Sequence, residues 1–217
     1  MRLTKTYASY TEALIAHTWY MRLNARYRPS NLLIDGAKLS YDWIDGTHPS
    51  NIEDIIEAAD DALWYLDDGA VGHGPINPAG YVEYARSVAR EVGASNPRAL
   101  DMIRGYSKYT PVHTCHGDLT FANIIKTHND KMIFIDPGNP RGLSCKEIDV
   151  AKLMQSLDGY HVVRDQWPDP PCLPKLGYSS IHLALLSTHY TRLLRHKHPV
   201  DVYTFARERV YALERLL

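Results

Sequence analysis

Three polar residues stand at spacings that suit phosphate chemistry. Asp118 and Asn123 lie five positions apart, and Asp136 follows an apolar run, residues 132–135, that has the composition of a short buried strand. Phosphoryl transfer needs one carboxylate that orients the attacking hydroxyl and accepts its proton. It also needs oxygen ligands that hold magnesium against the phosphates, and usually only one or two of these are protein carboxylates. The pattern therefore predicts a phosphoryl-transfer site.

The order of these residues resembles that of the kinase catalytic loop and of the metal-binding element that follows it. Residues 116–118 read His-Gly-Asp, and residues 136–138 read Asp-Pro-Gly. His-Gly-Asp is the form found in the aminoglycoside phosphotransferase and choline kinase superfamily, and residues 149–153 match the Asp-x-Ala-Lys-Leu helix start of that superfamily. The wider run to residue 160 is most similar to kinase-like proteins of capsule and surface-sugar biosynthesis.

The resemblance implies a role for each matching residue. Asp118 would be the catalytic base or hydroxyl-orienting carboxylate, and Asn123 and Asp136 would bind Mg²⁺. His116 would support the loop without taking part in the chemistry. Asp149 would hold the catalytic loop from a helix N-terminus, where a carboxylate is favoured. The co-substrate would be ATP or GTP.

The first part of the chain matches the superfamily less closely. Residues 40–46 resemble the hinge that joins the two lobes, where adenine would bond to the main chain at the Asp42 carbonyl and the Ile44 amide. A plain edge strand that ends in a turn is the alternative for this segment. Lys5 is the candidate phosphate-binding lysine, and Glu12 is its candidate partner. Because the two are close in sequence for such an ion pair, a surface position for Lys5 and a helix-capping role for Glu12 stay open.

The resemblance implies an α+β, protein-kinase-like fold with a reduced N-terminal lobe, residues 1–46, and a mainly helical C-terminal lobe, residues 47–217. Ser9 and Glu12 have the spacing of a capping box, and Asp35-Gly36 favours a tight hairpin turn. The glycine-rich segment 69–78 is predicted to be a connector. The predicted strands are 2–7, 32–34, 38–41, 112–114 and 132–135; the predicted helices are 9–24, 51–68, 79–93, 98–107 and most of the chain from residue 147 on, with breaks at 167–174 and 198–199.

A glycine-rich loop is missing from the position at which the superfamily has one. No glycine precedes Gly36, and only four residues precede Lys5, so the chain looks like a superfamily member that begins at the third strand. Two hypotheses follow. Either nucleotide affinity is weakened, because backbone amides that would cradle the phosphates are gone, or a second subunit, in a homo-oligomer or from another partner, completes the lid.

The amino-acid composition narrows the classes of molecule that the protein is expected to bind. The net charge of −1 gives no global field that would favour nucleic acid or a membrane. No run approaches the roughly 20 apolar residues that span a bilayer, and no apolar signal core follows the N-terminus. Three cysteines without a C-x-x-C spacing argue against a disulfide framework or a zinc site. These features predict a cytoplasmic protein that acts on a small molecule.

Three functions are compatible with the motif. The leading hypothesis is a kinase that transfers the γ-phosphate of ATP or GTP to a hydroxyl of a small metabolite, such as a sugar or a sugar phosphate. The second is a catalytically weak or inactive pseudokinase that binds a nucleotide or a partner, and the third is another nucleotidyl chemistry, such as AMP transfer. The C-terminal helices are rich in arginine and histidine. This indicates either a solvated basic face or, if part of it lines the cleft, an anionic acceptor.

Overall fold

The computed structural model describes residues 1–68, 70–75, 78–106, 109–113, 115–138, 145–165 and 179–217, and the predicted break at 167–174 lies outside them. The described strands are β1 (Arg2–Thr6), β2 (Leu33–Asp35), β3 (Lys38–Asp42), β4 (Gly46–Thr47), β5 (Ala70–Pro75), β6 (Tyr109–His113), β7 (Ile124–Thr127) and β8 (Met132–Phe134). The described helices are α1 (Tyr10–Arg22), α2 (Ile52–Asp68), α3 (Ala79–Glu91), α4 (Pro97–Gly105), α5 (Lys146–Gln155), α6 (His161–Asp165), α7 (Ser180–Leu193) and α8 (Val200–Leu216). None of these helices is long and apolar enough to cross a membrane.

The first sheet is antiparallel, has the strand order β1-β3-β2, and contains the predicted hairpin. β2 and β3 pair around Gly36, whose φ of +54° lies in the left-handed region that glycine adopts without steric cost. β1 pairs with the other edge of β3, so that Lys5 lies opposite Leu39. α1 joins β1 to β2 and packs against β3, with Ala16 and Trp19 buried.

α1 begins as its sequence predicts. Ser9 is the N-cap, and its Oγ accepts a hydrogen bond from the Glu12 amide at 3.2 Å. The Glu12 carboxylate in turn accepts from the Ala8 amide at 3.2 Å. Two backbone amides around the start of the helix thus find side-chain partners, which explains why the helix begins at Tyr10. It ends at Arg22, slightly before the predicted residue 24.

The prediction of a connector at 69–78 is wrong for most of that segment. Residues Ala70–Pro75 form β5, which pairs antiparallel with β6 and has an irregularity between Ala70 and Gly72. Glycine weakens a strand, but it does not prevent one when a partner strand supplies hydrogen bonds. Because that partner is distant in sequence, the composition of the segment alone could not reveal the pairing.

A second three-stranded sheet, with the order β4-β7-β8, brings the two ends of the motif region together. β7 starts directly after a short 3-10 turn, Phe121–Asn123, and β8 runs back along it in antiparallel register. After β8, the Ile135 amide donates to the Asn123 carbonyl at 2.9 Å. The sheet therefore delivers Asp136 to the neighbourhood of Asn123.

Two buried clusters fill the interior, and the second supports the motif residues. The first lies among α3, α4, α5, α7 and α8 and includes Tyr81, Ile148 and Tyr190. The second joins α1 and β3 to the motif region and α5 through side chains that include Trp19, Tyr20, Leu39, Leu119, Phe121, Phe134 and Leu153. Leu119 is fully buried directly after Asp118. Core packing thus anchors the chain next to that aspartate.

We expect Leu119→Ala to lower the free energy of unfolding by about 2–5 kcal/mol, because it removes a fully buried side chain and leaves a cavity. Equilibrium urea unfolding measures this change. Leu14→Ala is the matched control, since Leu14 is 40% exposed on α1 and alanine is a good helix former. It should change stability by less than about 1 kcal/mol. Equal losses in the two variants would contradict the core position of Leu119.

Candidate active site

A buried carboxylate on α5 fixes the loop that precedes Asp118. Asp149 is fully buried in the first turn of the helix, and its two oxygens accept hydrogen bonds from the amides of His116 (2.6 Å) and Gly117 (2.7 Å). Gly117 has a φ of +75°, so a side chain at this position would be strained. Burial raises the pKa of Asp149 to about 7, and the two amides counter that shift. Asp149 is thus a positioning residue.

The buried imidazole of His116 ties the same loop to the end of β8. Its Nε2 lies 2.8 Å from the Ile135 carbonyl oxygen, and its Nδ1 lies 3.3 Å from the Asp118 amide nitrogen. The amide is a donor, so we assign the proton to Nε2 and the acceptor role to Nδ1. Burial is the main cause that lowers the pKa of His116 to about 4, which keeps the ring neutral at pH 7. The His116 carbonyl also accepts from the Gly138 amide at 2.7 Å.

Asp118 forms an ion pair with Lys152. Lys152 Nζ lies 2.8 Å from Asp118 Oδ1; the lysine side chain is 6% exposed and the aspartate side chain is 39% exposed. Partial burial by itself would raise the pKa of Asp118, but the charge and hydrogen bond of Lys152 outweigh it and hold that pKa well below its usual range. Burial lowers the pKa of Lys152, and the charge of Asp118 opposes that shift. Asp118 is therefore a carboxylate across the neutral pH range, and ligands can reach it.

The Asn123 side chain completes the surroundings of Asp118. Its Nδ2 donates to the Asp118 carbonyl at 2.7 Å and lies 3.4 Å from Asp118 Oδ2. Because the nitrogen makes these contacts, Asn123 Oδ1 is left without a hydrogen-bond partner within the described part of the chain. This oxygen is a hard donor of the kind that Mg²⁺ prefers.

Asp136 follows β8 and has a left-handed backbone, with a φ of +55°. Its amide donates to the Tyr20 hydroxyl at 3.1 Å, and its Oδ1 lies 2.7 Å from Lys5 Nζ. The Lys5 and Asp136 side chains are 36% and 43% exposed, so this ion pair is screened by solvent and is easily opened by a competing ligand.

The oxygens of Asn123 and Asp136 fit a magnesium ion. Mg²⁺ takes one or two protein carboxylates and completes its octahedral shell with phosphate and water oxygens. Among the residues that the structure describes, no group of three or more His, Cys, Asp or Glu side chains could hold a metal ion. Metal binding at Asn123 and Asp136 would therefore depend on oxygen atoms that a phosphate ligand brings, and the assignment stays a prediction.

The predicted ion pair between Lys5 and Glu12 is wrong. Lys5 Nζ contacts Asp136, whereas the Glu12 carboxylate bonds to the Ala8 amide. The helix cap holds Glu12 at the start of α1, and the pairing of β1 with β3 carries Lys5 to the site instead. Of the alternatives for Glu12, the capping role is confirmed.

The predicted hinge residues lie at and just after the end of β3. The Asp42 amide donates to the Ser30 carbonyl at 3.1 Å, and the Asp42 carboxylate accepts from Asn31 Nδ2 at 2.6 Å. Ile44 follows the strand, and its amide has no hydrogen-bond partner among the described residues. That amide could donate to a ligand, and adenine binding by Asp42 and Ile44 stays a prediction.

Lys152 is the main residue of the site to which the sequence analysis gives no role. The sequence did contain an indication of this role, because Lys152 is the lysine of the Asp-x-Ala-Lys-Leu run and lies three positions after Asp149. Positions three apart share one face of a helix. A loop that bonds to Asp149 therefore passes close to Lys152, and the helical spacing could have identified the lysine as a partner of Asp118.

A cavity of about 590 Å³ opens beside Asp118. Its volume suits a small metabolite. Asn123 shares the lining, and side chains of α5 and α7 complete much of it, among them Lys152, Gln155, His189 and Arg192. The ionised carboxylate of Asp118 thus faces a space in which a hydroxyl group could bind.

Gly138 lets the segment after Asp136 pack against the Asp118 loop. A Cβ atom on Gly138 would lie 3.0 Å from Asp118 Cβ and 3.2 Å from the Gly117 backbone. We expect Gly138→Ala to lower the free energy of unfolding by about 1–3 kcal/mol through overpacking. Gly105→Ala is the control, because nothing lies within 4 Å of a Cβ at that position. If urea unfolding gives the two variants equal stability, the close approach at Gly138 is wrong.

The charge of Lys152 keeps Asp118 ionised at low pH. Lys152→Met removes that charge and leaves partial burial as the largest influence, so we expect the pKa of Asp118 to rise above its ordinary value of about 4. An NMR titration of the side-chain carboxyl carbons measures the shift. Lys38→Met, an exposed change on β3, should leave this pKa unchanged. An unaltered Asp118 titration in Lys152→Met would mean that the ion pair does not control it.

Comparisons with known proteins bear on the fold. No protein-family model matches the chain, and no curated protein matches its sequence. The structure is similar to the crystal structure of a thermostable mutant of the aminoglycoside phosphotransferase APH(4)-Ia in its apo form, with a TM-score of 0.58 and 15% identity over 99% of this chain and 86% of that one. At such low identity the likeness concerns the fold alone. The chain therefore has the α+β, protein-kinase-like fold that its sequence predicts, with a mainly helical C-terminal part.

Proposed function

We propose that the protein is a small-molecule kinase that transfers the γ-phosphate of ATP or GTP to a hydroxyl group of a metabolite. The observation that carries the proposal is the ionised Asp118, held between Lys152 and Asn123 at the edge of a cavity of about 590 Å³. Asp136 and Lys5 form a second charged pair, and Gly138 packs against the Asp118 loop. A carboxylate, two hard oxygen donors and a lysine are the groups that phosphoryl transfer requires.

In the proposed reaction, Asp118 accepts a hydrogen bond from the acceptor hydroxyl and orients its oxygen. That oxygen forms a bond to the γ-phosphorus, the bond from this phosphorus to the β–γ bridging oxygen breaks, and the nucleoside diphosphate leaves with the electron pair. The hydroxyl proton passes to the Asp118 carboxylate and then to solvent. Because Lys152 lowers the pKa of Asp118, the carboxylate is a weak base. Its main contribution is orientation, which suits a loose transition state in which the proton leaves late.

The oxygens of Asn123 and Asp136 would hold Mg²⁺, which when bound supplies charge neutralisation at the nucleotide phosphates. Lys5 Nζ, now 2.7 Å from Asp136, would exchange this partner for a phosphate oxygen when the nucleotide binds. The Ile44 amide, to which no described residue offers an acceptor, supports adenine binding after β3. A cytoplasmic location, where ATP and Mg²⁺ are supplied, is part of the proposal.

A nucleotide-binding module without turnover is the second candidate. The observation that favours it is the Lys5–Asp136 ion pair, because the lysine neutralises the carboxylate that a metal would need. In a working kinase this pair must open on nucleotide binding. In an inactive relative it could persist and leave only weak nucleotide affinity.

A turnover assay distinguishes the kinase from the nucleotide-binding module. We expect the wild-type protein to transfer labelled phosphate from ATP to one compound of a metabolite extract, and Asp118→Asn to reduce the rate by about 100-fold or more. Mass spectrometry of the product distinguishes a gain of phosphate from a gain of AMP. If wild type and Asp118→Asn give the same products at the same rates, Asp118 has no catalytic role and the binding module is favoured.

Nucleotide binding is tested separately with Asp136→Asn. We expect ATP with magnesium to raise the melting temperature of the wild type, and Asp136→Asn to lose the magnesium-dependent part of this rise. Asp130→Asn is the matched control, because Asp130 has a φ of +54°, close to the +55° of Asp136, and its side chain is 78% exposed. A full magnesium-dependent shift in Asp136→Asn would contradict its role as a metal ligand.

A further inference from the structure

We propose that the cavity beside Asp118 binds an acceptor that is both polyhydroxylated and anionic, such as a sugar that carries a phosphate or a carboxylate group. This inference rests on the proposed function for its choice of reaction. It is carried by the charges of the cavity lining and by two buried polar atoms of the lining that have no partner in the described part of the chain.

The cavity has a surplus of positive charge. Asp118 is the sole carboxylate among the described lining residues, and Lys152 already neutralises it at 2.8 Å. Burial lowers the pKa of His189 and His198 and favours their neutral forms, so the permanent positive charges of the described lining besides Lys152 are those of Arg164 and Arg192. A polycation such as an aminoglycoside would meet these charges with repulsion, whereas an anion would balance them.

Arg192 is the residue best placed to bind the anion. It lies in the last turn of α7 and is half-buried, and its guanidinium has no hydrogen bond or ion pair within the described part of the chain. The guanidinium carbon of Arg192 lies 5.9 Å from the centroid of the Tyr84 ring. The positive charge of Arg192 also helps to lower the pKa of Asp118, so it acts on the reactive carboxylate. A guanidinium binds phosphate or carboxylate through paired hydrogen bonds, and a half-buried one gains most from such a partner.

Two fully buried side chains of the lining offer hydrogen bonds of opposite kinds. Gln155 Oε1 accepts from Lys152 Nζ at 3.0 Å, which leaves Gln155 Nε2 as a donor without a partner among the described residues. His189 Nε2 lies 3.3 Å from the Ile148 carbonyl, which leaves Nδ1 as an acceptor that no described residue contacts as a donor. Buried polar groups normally have partners. Both atoms are shielded from water in this structure, so a ligand hydroxyl would accept from the glutamine and donate to the histidine after a small shift of the lining side chains.

The charge of Asp118, the charge of Arg192 and the two buried polar atoms together predict where each part of one ligand would bind. The hydroxyl that reacts would lie at Asp118, further hydroxyls would satisfy Gln155 and His189, and the anion would meet Arg192. A monosaccharide phosphate or a uronic acid fits a volume of about 590 Å³. The anionic group of the acceptor is unchanged by the reaction, because the bond to the incoming phosphorus forms at a hydroxyl oxygen.

The test uses a panel of hexose and pentose monophosphates, uronic acids and the matching neutral sugars. Calorimetry without nucleotide measures binding, and ATP-dependent phosphorylation measures turnover. We expect at least one anionic sugar to bind more tightly than its neutral counterpart and to be phosphorylated. Comparison of the sugar monophosphates with the uronic acids identifies which anionic group the cavity binds.

Arg192→Ala should weaken binding of that anionic sugar about tenfold or more, with a corresponding rise in KM, while Arg192→Lys retains part of the affinity. Arg195→Ala is the matched control, because Arg195 is close by and carries the same charge but pairs with Glu91 at 3.0 Å and does not line the cavity. It should leave binding and KM unchanged. An unaltered thermal shift with ATP and magnesium in Arg192→Ala verifies that the variant is folded.

The outcomes distinguish this inference from the kinase proposal. If neutral or cationic sugars bind equally well, if no anionic sugar binds, or if Arg192→Ala leaves the affinity unchanged, the inference is wrong even where phosphorylation occurs. If an anionic sugar binds through Arg192 but gains no phosphate, the cavity assignment holds and the kinase proposal fails.

Discussion

Two hydrogen bonds to the carboxylate of Asp149 hold the loop on which the site depends. They come from consecutive amides, those of His116 and Gly117, and they set the direction in which the chain reaches Asp118. One turn further along the same helix, Lys152 meets Asp118 at 2.8 Å. A single helix therefore supplies both the support of the loop and the counter-ion of its carboxylate. Loss of the support would leave two buried amides without partners, and each unpaired buried group costs free energy.

Asp118 and Asp136 each pair with a lysine, and the two pairs differ in exposure. The lysine that pairs with Asp118 is almost completely buried, whereas both partners of the Lys5–Asp136 pair are more than one third exposed. A buried pair keeps one geometry, while an exposed pair exchanges partners readily. This difference matches the proposed tasks, since Asp118 must hold its position and Asp136 must change partners when a nucleotide arrives. Arg192 then stands out as a cation of the cavity that no carboxylate of the described residues neutralises.

The similarity to an aminoglycoside phosphotransferase concerns the course of the backbone, and a fold by itself does not determine a substrate. The substrate follows from the side chains that line the cleft. In this chain the described lining carries Arg164 and Arg192 beside one neutralised carboxylate, and this charge pattern disfavours a polycation. Under the proposed function, this lining would direct phosphate transfer to an anionic acceptor.

The sequence by itself determined those features that depend on short spacings. The helix cap at Glu12 and the hairpin turn at Gly36 could both be predicted, because neighbouring residues encode them through local hydrogen bonds and backbone preferences. The tertiary structure alone decided the β5–β6 pairing, the contact of Lys5 with a carboxylate 131 residues away, and the position of Arg192 in the cavity. These contacts join elements that are distant in the chain. Their partners are selected by the packing of whole helices and strands, which no short window of sequence specifies.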